Sequence, residues 1–402
     1  MHMGFFDELK KRGLVENSTP KIEKVFEKTT TLYLGIDPTA DSLHLGHFLP
    51  LSILKRALDA GNKIIIIMGG GTALIGDPSG KEKERPILPK KTIEKNKRKL
   101  TKQISKFFTI DNRKVKIIDN ANWLENISLI RFLRDIGKIS SVNSMLDLEF
   151  VRKRIENQEF LSFAEFTYQL LQAYDFYMLF EKYACEVQVG GSDQWGNIIQ
   201  GIELIKRKTG KTAHGLAFPL IIDPSTGKKF GKTATGKPIW LDKEKTSPFE
   251  LYQFLINISD ELAQKLLYYY SFKTLEEIKT LISKALQSPE ARLIQTQLAI
   301  ELVTLIHGEE TAFSCQKASE ILFRKNLEKI NEKDFKILTK VLKVYPLPQK
   351  ATLEDVLITT KLASSKKQAK RLIKENAIKT RRILSYILIR KGKKSFAIGK
   401  FE

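Results

Sequence analysis

Two histidines three residues apart, His44 and His47, stand in the run Tyr33-Leu34-Gly35-Ile36-Asp37-Pro38-Thr39-Ala40-Asp41-Ser42-Leu43-His44-Leu45-Gly46-His47. Here a strand-like segment passes through a polar loop into a helix. A helix N-terminus offers unpaired N–H groups and a dipole that favours anions. Histidines at that point can donate to phosphate oxygens, and Gly46 lets a flat purine approach the backbone. The plain alternative is a helix start with incidental histidines, yet only five His occur in the chain and two are here. A second candidate is Lys228-Lys229-Phe230-Gly231-Lys232-Thr233, followed by Ala234-Thr235-Gly236-Lys237. Small and cationic, it can close over a triphosphate and stabilise charge developing on departing pyrophosphate. Lysine-rich turns are usually solvated surface, so its weight comes from the pairing with His44 and His47.

Three further segments carry polar groups at ordered spacing. Residues 69–81, GGGTALIGDPSGK, form a glycine-rich turn after an apolar strand, with Asp77 as its only acid and Lys81 and Arg85 close behind. It is not a Walker loop, because Lys81 precedes Glu82, and Leu74 breaks a GxGxxG pattern. Ser162-Phe163-Ala164-Glu165 reads as a capping box that opens a long helix. On that helix Tyr168, Gln172 and Asp175 are spaced by four and three, so they share one face and suggest a pocket for a small polar ligand. Gln188-Val189-Gly190-Gly191-Ser192-Asp193-Gln194-Trp195 is a strand ending in glycines and an acid, where a nucleotide ribose would meet a carboxylate. Ordinary turns and a solvent-facing stripe are the bland readings of these segments taken singly.

The elements needed to position such groups are those of an open parallel sheet, with strands and helices alternating through the first half. Residues 31–35 (TLYLG), 63–68 (KIIIIM), 114–119 and 186–189 read as strands, and 45–60, 127–135 and 162–183 as helical. After Ser247-Pro248 the periodicity turns helical, so 249–325 reads as a bundle. Tyr345-Pro346-Leu347-Pro348 reads as a stiff linker. Beyond it, one helix around 365–375 and one strand at 385–390 are expected.

The net charge is +22, and its distribution says more than its size. From 351 to 402 fourteen Lys/Arg face Glu354, Asp355, Glu375 and Glu402, a local excess of ten, which points to a polyanionic partner. Two cysteines without motif spacing, Cys185 and Cys315, argue against a disulfide framework or a cysteine-based zinc site. No signal peptide and no membrane span are evident, and a cytoplasmic location is the simplest expectation.

Together these residues resemble a class I aminoacyl-tRNA synthetase. His44-Leu45-Gly46-His47 resembles the HIGH signature, and Lys229-Phe230-Gly231-Lys232-Thr233 resembles the KMSKS loop, with leucine and KFGKT as variants. The segments 37–47, 76–81, 172–176, 190–197 and 240–248 are similar to the bacterial-type tyrosyl-tRNA synthetases in particular. The resemblance implies a Rossmann-like doubly wound α/β catalytic domain (1–220), a signature loop and linker (221–247), and an all-α anticodon-binding-type domain (248–330). A linker (331–350) and a small α+β RNA-binding tail (351–402) would follow. That tail reads as shortened, since the chain passes from Thr380-Arg381-Arg382 to 386–394 sooner than in the family.

The resemblance also implies roles. Tyr33 and Asp175 would bind the phenol of L-tyrosine, and Asp77, Tyr168 and Gln172 its α-ammonium group. Gly35, Asp37, Gly46, Gly191, Asp193 and Gln194 would line the ATP and adenylate site. Thr39, His44, His47, Lys81, Arg85, Lys229, Lys232 and Thr233 would stabilise the transition state at the α-phosphate. ATP with Mg2+, tRNA(Tyr) and a second copy of the chain are the implied substrate, ion and partners, with no resident metal. A tryptophanyl enzyme shares the fold and both signatures, but Tyr33 with Asp175 favours a phenol over an indole. An RNA-binding protein on a synthetase scaffold is the other rival, against which the intact signatures argue.

Overall fold

The computed structural model describes residues 4–78, 87–224, 227, 229–233, 236–324, 326–392 and 395–402. The chain divides into two compact units, Met1–Leu241 with Tyr268–Tyr270, and Asp242–Leu267 with Ser271–Glu402.

The first unit is built on a six-stranded sheet in the order β1-β6-β5-β2-β3-β4. The strands are β1 (Asn17–Ser18), β2 (Thr31–Ile36), β3 (Lys63–Met68), β4 (Val115–Asp119), β5 (Val187–Gly191) and β6 (His214–Phe218). β2 through β6 are parallel, and only β1 runs antiparallel, against β6. Near-continuous apolar runs such as KIIIIM fit strands buried on both faces. Tyr33, Ile65 and Ile67 pack with Phe176 and Ile198 of helices Phe163–Tyr183 and Trp195–Thr209. Because side chains alternate across a strand, Leu32, Leu34, Ile64 and Ile66 face the other layer. Helices Leu45–Asp59 and Lys90–Phe107 supply it, meeting through Phe48 and Phe107.

Connections from β2 lead outward through β3 to β4, and those from β5 lead the other way to β6. The switch point therefore lies between β2 and β5, at whose carboxyl ends an α/β sheet opens its ligand crevice. Helix Lys90–Phe107, helix Trp195–Thr209 and strand β6 were not among the elements expected from the sequence.

The second unit begins as helices, with Leu293–His307 packed against Pro248–Ile256 and Glu309–Arg324. Serine and threonine caps with a glutamate three residues on fix several starts, as at Ser247/Glu250 and Thr274/Glu277. Its last part is a four-stranded sheet, ordered β7-β10-β9-β8. The strands are β7 (Val344–Leu347), β8 (Ile378–Ile383), β9 (Tyr386–Lys391) and β10 (Ser395–Phe401).

Three expectations are corrected here. The segment 331–350 is not a linker: it contains helix Glu332–Val341 and then β7, which pairs in parallel with β10. Pro346 is tolerated because β7 is an edge strand, where a missing N–H costs no ladder bond. The tail beyond 351 holds two helices, Leu353–Thr359 and Lys366–Lys374, and three strands rather than one of each. Its short passage after Arg382 is a tight hairpin that pairs Ile383 with Tyr386, with Leu384 at φ 52. The small module closes around its own core of Leu347, Val356, Leu357, Leu372, Ile389 and Phe401.

Candidate active site

A cavity of about 400 Å³ opens at the carboxyl ends of β2, β3, β5 and β6. At one end lie Tyr33, Tyr168, Gln172 and Asp175. Asp175 is fully enclosed, accepting from Asn120 Nδ2 at 2.8 Å and Trp123 Nε1 at 2.7 Å. Burial pushes its carboxyl up to about 7, although both hydrogen bonds pull the other way. Tyr33 is buried beside it and tilted against Phe176. The Tyr33 hydroxyl has no hydrogen-bond partner among the described residues. Leaving such a group unpaired costs roughly 1–3 kcal/mol, so it favours any ligand that brings a partner.

Asparagine and threonine tie this end to the next carboxylate. Asn120 also reaches Thr72 Oγ1 at 3.0 Å, Thr72 donates to Asp37 Oδ1 at 2.8 Å, and Tyr168 donates to Asp37 Oδ2 at 3.0 Å. Gly69 makes room for this carboxylate, because a Cβ there would fall 1.8 Å from Asp37 Oδ1. A parallel amide chain runs from Asn197 to Gln172 (3.1 Å), from Gln172 to Gln194 (3.2 Å) and from Gln194 to Asp77 (2.9 Å).

The other end of the cavity is cationic. His44 caps helix Leu45–Asp59, its Nδ1 accepting from Gly46 N at 3.1 Å. His47 Nδ1 accepts from His44 N at 3.2 Å, and the two rings stack 3.9 Å apart. Since both Nδ1 atoms accept from backbone N–H groups, the neutral rings carry their protons on Nε2 and offer them as donors. Gly46 is required by this arrangement, as a Cβ there would meet the His44 ring at 2.9 Å. The lysine loop is tied to the same helix start. Ile239 N bonds Gly231 O, Leu45 N bonds Ile239 O, and Leu241 N bonds Leu43 O. Gly231, at φ 94, lies against Gly46, and Lys229 and Lys232 line the cavity. Lys229 Nζ pairs with Asp193 at 3.0 Å.

Residues 25–324 match the family model for class I tRNA synthetases (W and Y). The chain belongs to that family. It is 42% identical to a tyrosine–tRNA ligase of Roseiflexus castenholzii, over 92% of this chain and 89% of the relative. It is 41% identical to tyrosine–tRNA ligase 2 of Enterococcus faecalis over the full length of both. Among solved structures, a C-terminally truncated mitochondrial tyrosyl-tRNA synthetase of Aspergillus nidulans matches with TM-score 0.73 and 32% identity, covering 80% of this chain and 95% of that one. Synthetases of this class use ATP as a substrate.

Within this synthetase, most residues singled out from the sequence come together. Tyr33, Gly35, Asp37, Thr39, His44, Gly46, His47, Asp77, Tyr168, Gln172, Asp175, Gly191, Asp193, Gln194, Lys229 and Lys232 all line the one cavity. Thr233 is not part of the lining; its N–H and hydroxyl close the turn to Lys237. Lys81 and Arg85 lie outside the described residues. Sequence reasoning missed Thr72, Asn120, Trp123 and Asn197, which hold the carboxylates and amides in place. For Asn120 there was a usable signal, since it directly follows the acid that ends β4, on the ligand edge of the sheet. Trp123 carried none.

Proposed function

We propose that this chain is a tyrosine–tRNA ligase, joining L-tyrosine to ATP and then to tRNA(Tyr). The reading is carried by one observation: a single cavity is lined both by Tyr33, Tyr168 and Asp175 and by His44, His47, Lys229 and Lys232. The unpartnered Tyr33 hydroxyl and the Asp175 carboxylate hold the substrate phenol, while Asp77, Tyr168 and Gln172 hold the α-ammonium group. A site built to pair a hydroxyl rejects the analogue that lacks one, a discrimination for which tyrosine enzymes are themselves the standard example.

The substrate carboxylate is already a nucleophile, so activation needs no general base. A carboxylate oxygen bonds to the α-phosphorus, the bond to the β-phosphate bridge breaks, and pyrophosphate leaves with the electron pair. Charge grows on the phosphate oxygens as this happens. The Nε2–H donors of His44 and His47 and the cations Lys229 and Lys232 answer it, together with Thr39 of the same cavity; the roles of Lys81, Arg85 and Thr233 in this charge stabilisation rest on the resemblance alone. Gly35, Asp37, Gly46, Gly191, Asp193 and Gln194 receive the nucleotide, with Asp193 on the ribose. Asp193 then exchanges Lys229 for a ribose hydroxyl, which frees that lysine for the phosphates. In the second step a ribose hydroxyl of the terminal adenosine attacks the activated carbonyl, and AMP departs.

Nitrogen donors and cations dominate around His44, whereas magnesium takes oxygen ligands. The ion would therefore be brought in by the phosphate oxygens of ATP and would supply additional positive charge there. The tail binds the tRNA through helix Lys366–Lys374, whose Lys366, Lys367, Lys370, Arg371 and Lys374 are all exposed. Residues 129–163 expose Leu129, Ile130, Val142, Ile155, Phe160 and Phe163, which supports a homodimer formed through this stretch. A cytoplasmic location goes with this activity.

The test is ATP–pyrophosphate exchange by the purified chain with tyrosine, phenylalanine or tryptophan. Exchange dependent on tyrosine is expected; exchange with tryptophan alone would overturn the reading.

A further inference from the structure

Helix Lys90–Phe107 carries eight Lys/Arg against the single acid Glu94, and these charges are sorted by face. Lys90 pairs with Glu125, Lys97 with Glu94 and Asp119, and Lys99 with Asp41. The remaining five, Lys91, Lys95, Arg98, Lys102 and Lys106, are exposed. No salt bridge or hydrogen bond involves their side chains among the described residues. Their spacing of four, three, four and four keeps them within a stripe about 80° wide, at about 100° per residue. Ile93, Leu100 and Ile104 are buried on the opposite side. The stripe is about 22 Å long, from a rise of about 1.5 Å per residue.

The position of the helix gives this charge a direction. Asn96 Nδ2 donates to Pro38 O at 3.0 Å, and Leu43 N donates to Gln103 Oε1 at 2.8 Å. The helix thus braces residues 37–44, of which Asp37, Thr39 and His44 line the cavity. A solubilising charge would need neither a single face nor this placement. Unpaired cations in a row match a phosphate backbone, because each phosphate neutralised releases a counterion.

We propose that this stripe is a phosphate track for the acceptor stem of the tRNA, holding the duplex whose 3′ end enters the cavity. The proposal rests on the tyrosine–tRNA ligase reading and extends it to a surface of the catalytic unit, apart from the basic tail. The duplex lies along the outer face of the helix. Its bonds to the protein are made by phosphates, so the track positions the RNA without reading its sequence.

The test replaces Lys91, Lys95, Arg98, Lys102 and Lys106 together by Gln. A control carries Gln at Lys21, Lys24, Lys63, Lys114 and Lys211, which are exposed elsewhere on the same unit. Tyrosine-dependent pyrophosphate exchange is expected to stay at the unaltered level in both. In the stripe variant the KM for tRNA(Tyr) rises about tenfold or more. Its logarithmic salt dependence between about 50 and 200 mM becomes shallower by roughly 0.9 for each phosphate that is no longer neutralised. A minihelix of the acceptor stem loses affinity in parallel. A KM and salt slope equal to those of the control overturn the proposal. Weaker binding of whole tRNA with the minihelix unaffected also overturns it, by placing the stripe on another part of the RNA. Should the fivefold variant fold poorly, Lys95→Gln with Lys102→Gln gives the same comparison with two solvent-facing changes. Absence of tyrosine-dependent exchange in the unaltered chain would instead refute the underlying reading.

Discussion

Asp175 is held by Asn120 and Trp123 in a site that burial makes costly for a charge, with its carboxyl pushed up to about 7. A carboxyl raised in the native state binds its proton more tightly folded than unfolded. Its stabilising effect is therefore complete below about pH 4 and is lost as the pH rises through about 7. The free protein should lose up to about 4 kcal/mol by this route between those limits. Asp175→Asn should remove that slope in urea midpoints measured from pH 5 to pH 8, and an unchanged slope would contradict the assignment. This residue was legible from the sequence because helical spacing put it on one face with Tyr168 and Gln172. Of its partners, Asn120 could have been found as the residue after the acid that ends β4, whereas Trp123, in the short helix Ala121–Leu124, could not, because only the fold brings it near.

At the scale of elements, the start of helix Leu45–Asp59 is the critical joint. Its cap is a histidine, its second position is a glycine pressed under that histidine, and the lysine loop is tied in through backbone bonds to Leu43 and Leu45 on either side of the cap. Gly46→Ala places a Cβ 2.9 Å from the His44 ring, so the ring must leave its cap. A lost cap costs about 1 kcal/mol of stability. The larger effect should fall on activation, slowed about tenfold or more, with tyrosine Kd nearly unchanged, since the phenol end is untouched. Equilibrium tyrosine binding and single-turnover adenylate formation separate the two; equal losses would count against the role of His44.

Strands β2, β3 and β5 could be read directly as apolar runs beside glycines, β4 as a short β-branched run between polar residues, and helix Phe163–Tyr183 from its capping box. The signals failed where charge or proline hid the pattern. Helix Lys90–Phe107 buries only a thin seam under its lysines, and β7 holds a proline that an edge position permits. The small tail was under-read because its strands are short, half-exposed and dense in Lys/Arg.

For the whole molecule, two expectations concern parts beyond the cavity. Removing 351–402 should spare pyrophosphate exchange while raising the KM for tRNA and flattening its salt dependence. Leu347 of β7 packs into the tail core and would be exposed by the cut, so the truncation is best compared with Gln at Lys366, Lys370 and Lys374. A tRNA KM in both variants identical to that of the unaltered chain would show the tail to be idle. Sedimentation of the unaltered chain should show a dimer, and Phe160→Glu with Phe163→Glu should yield monomer. A monomer in the unaltered chain would refute the apolar stretch as an interface.

The account depends most on the buried hydroxyl of Tyr33 and its neighbour Asp175 recognising a phenol. The most direct measurement is the ratio of kcat/KM for tyrosine and phenylalanine in pyrophosphate exchange, for the unaltered chain and for Tyr33→Phe. Removing one hydrogen-bonding partner should shrink that ratio by about ten- to hundredfold, as expected for the loss of roughly 1–3 kcal/mol, chiefly by slowing the reaction with tyrosine. A ratio unaffected by Tyr33→Phe would contradict the account.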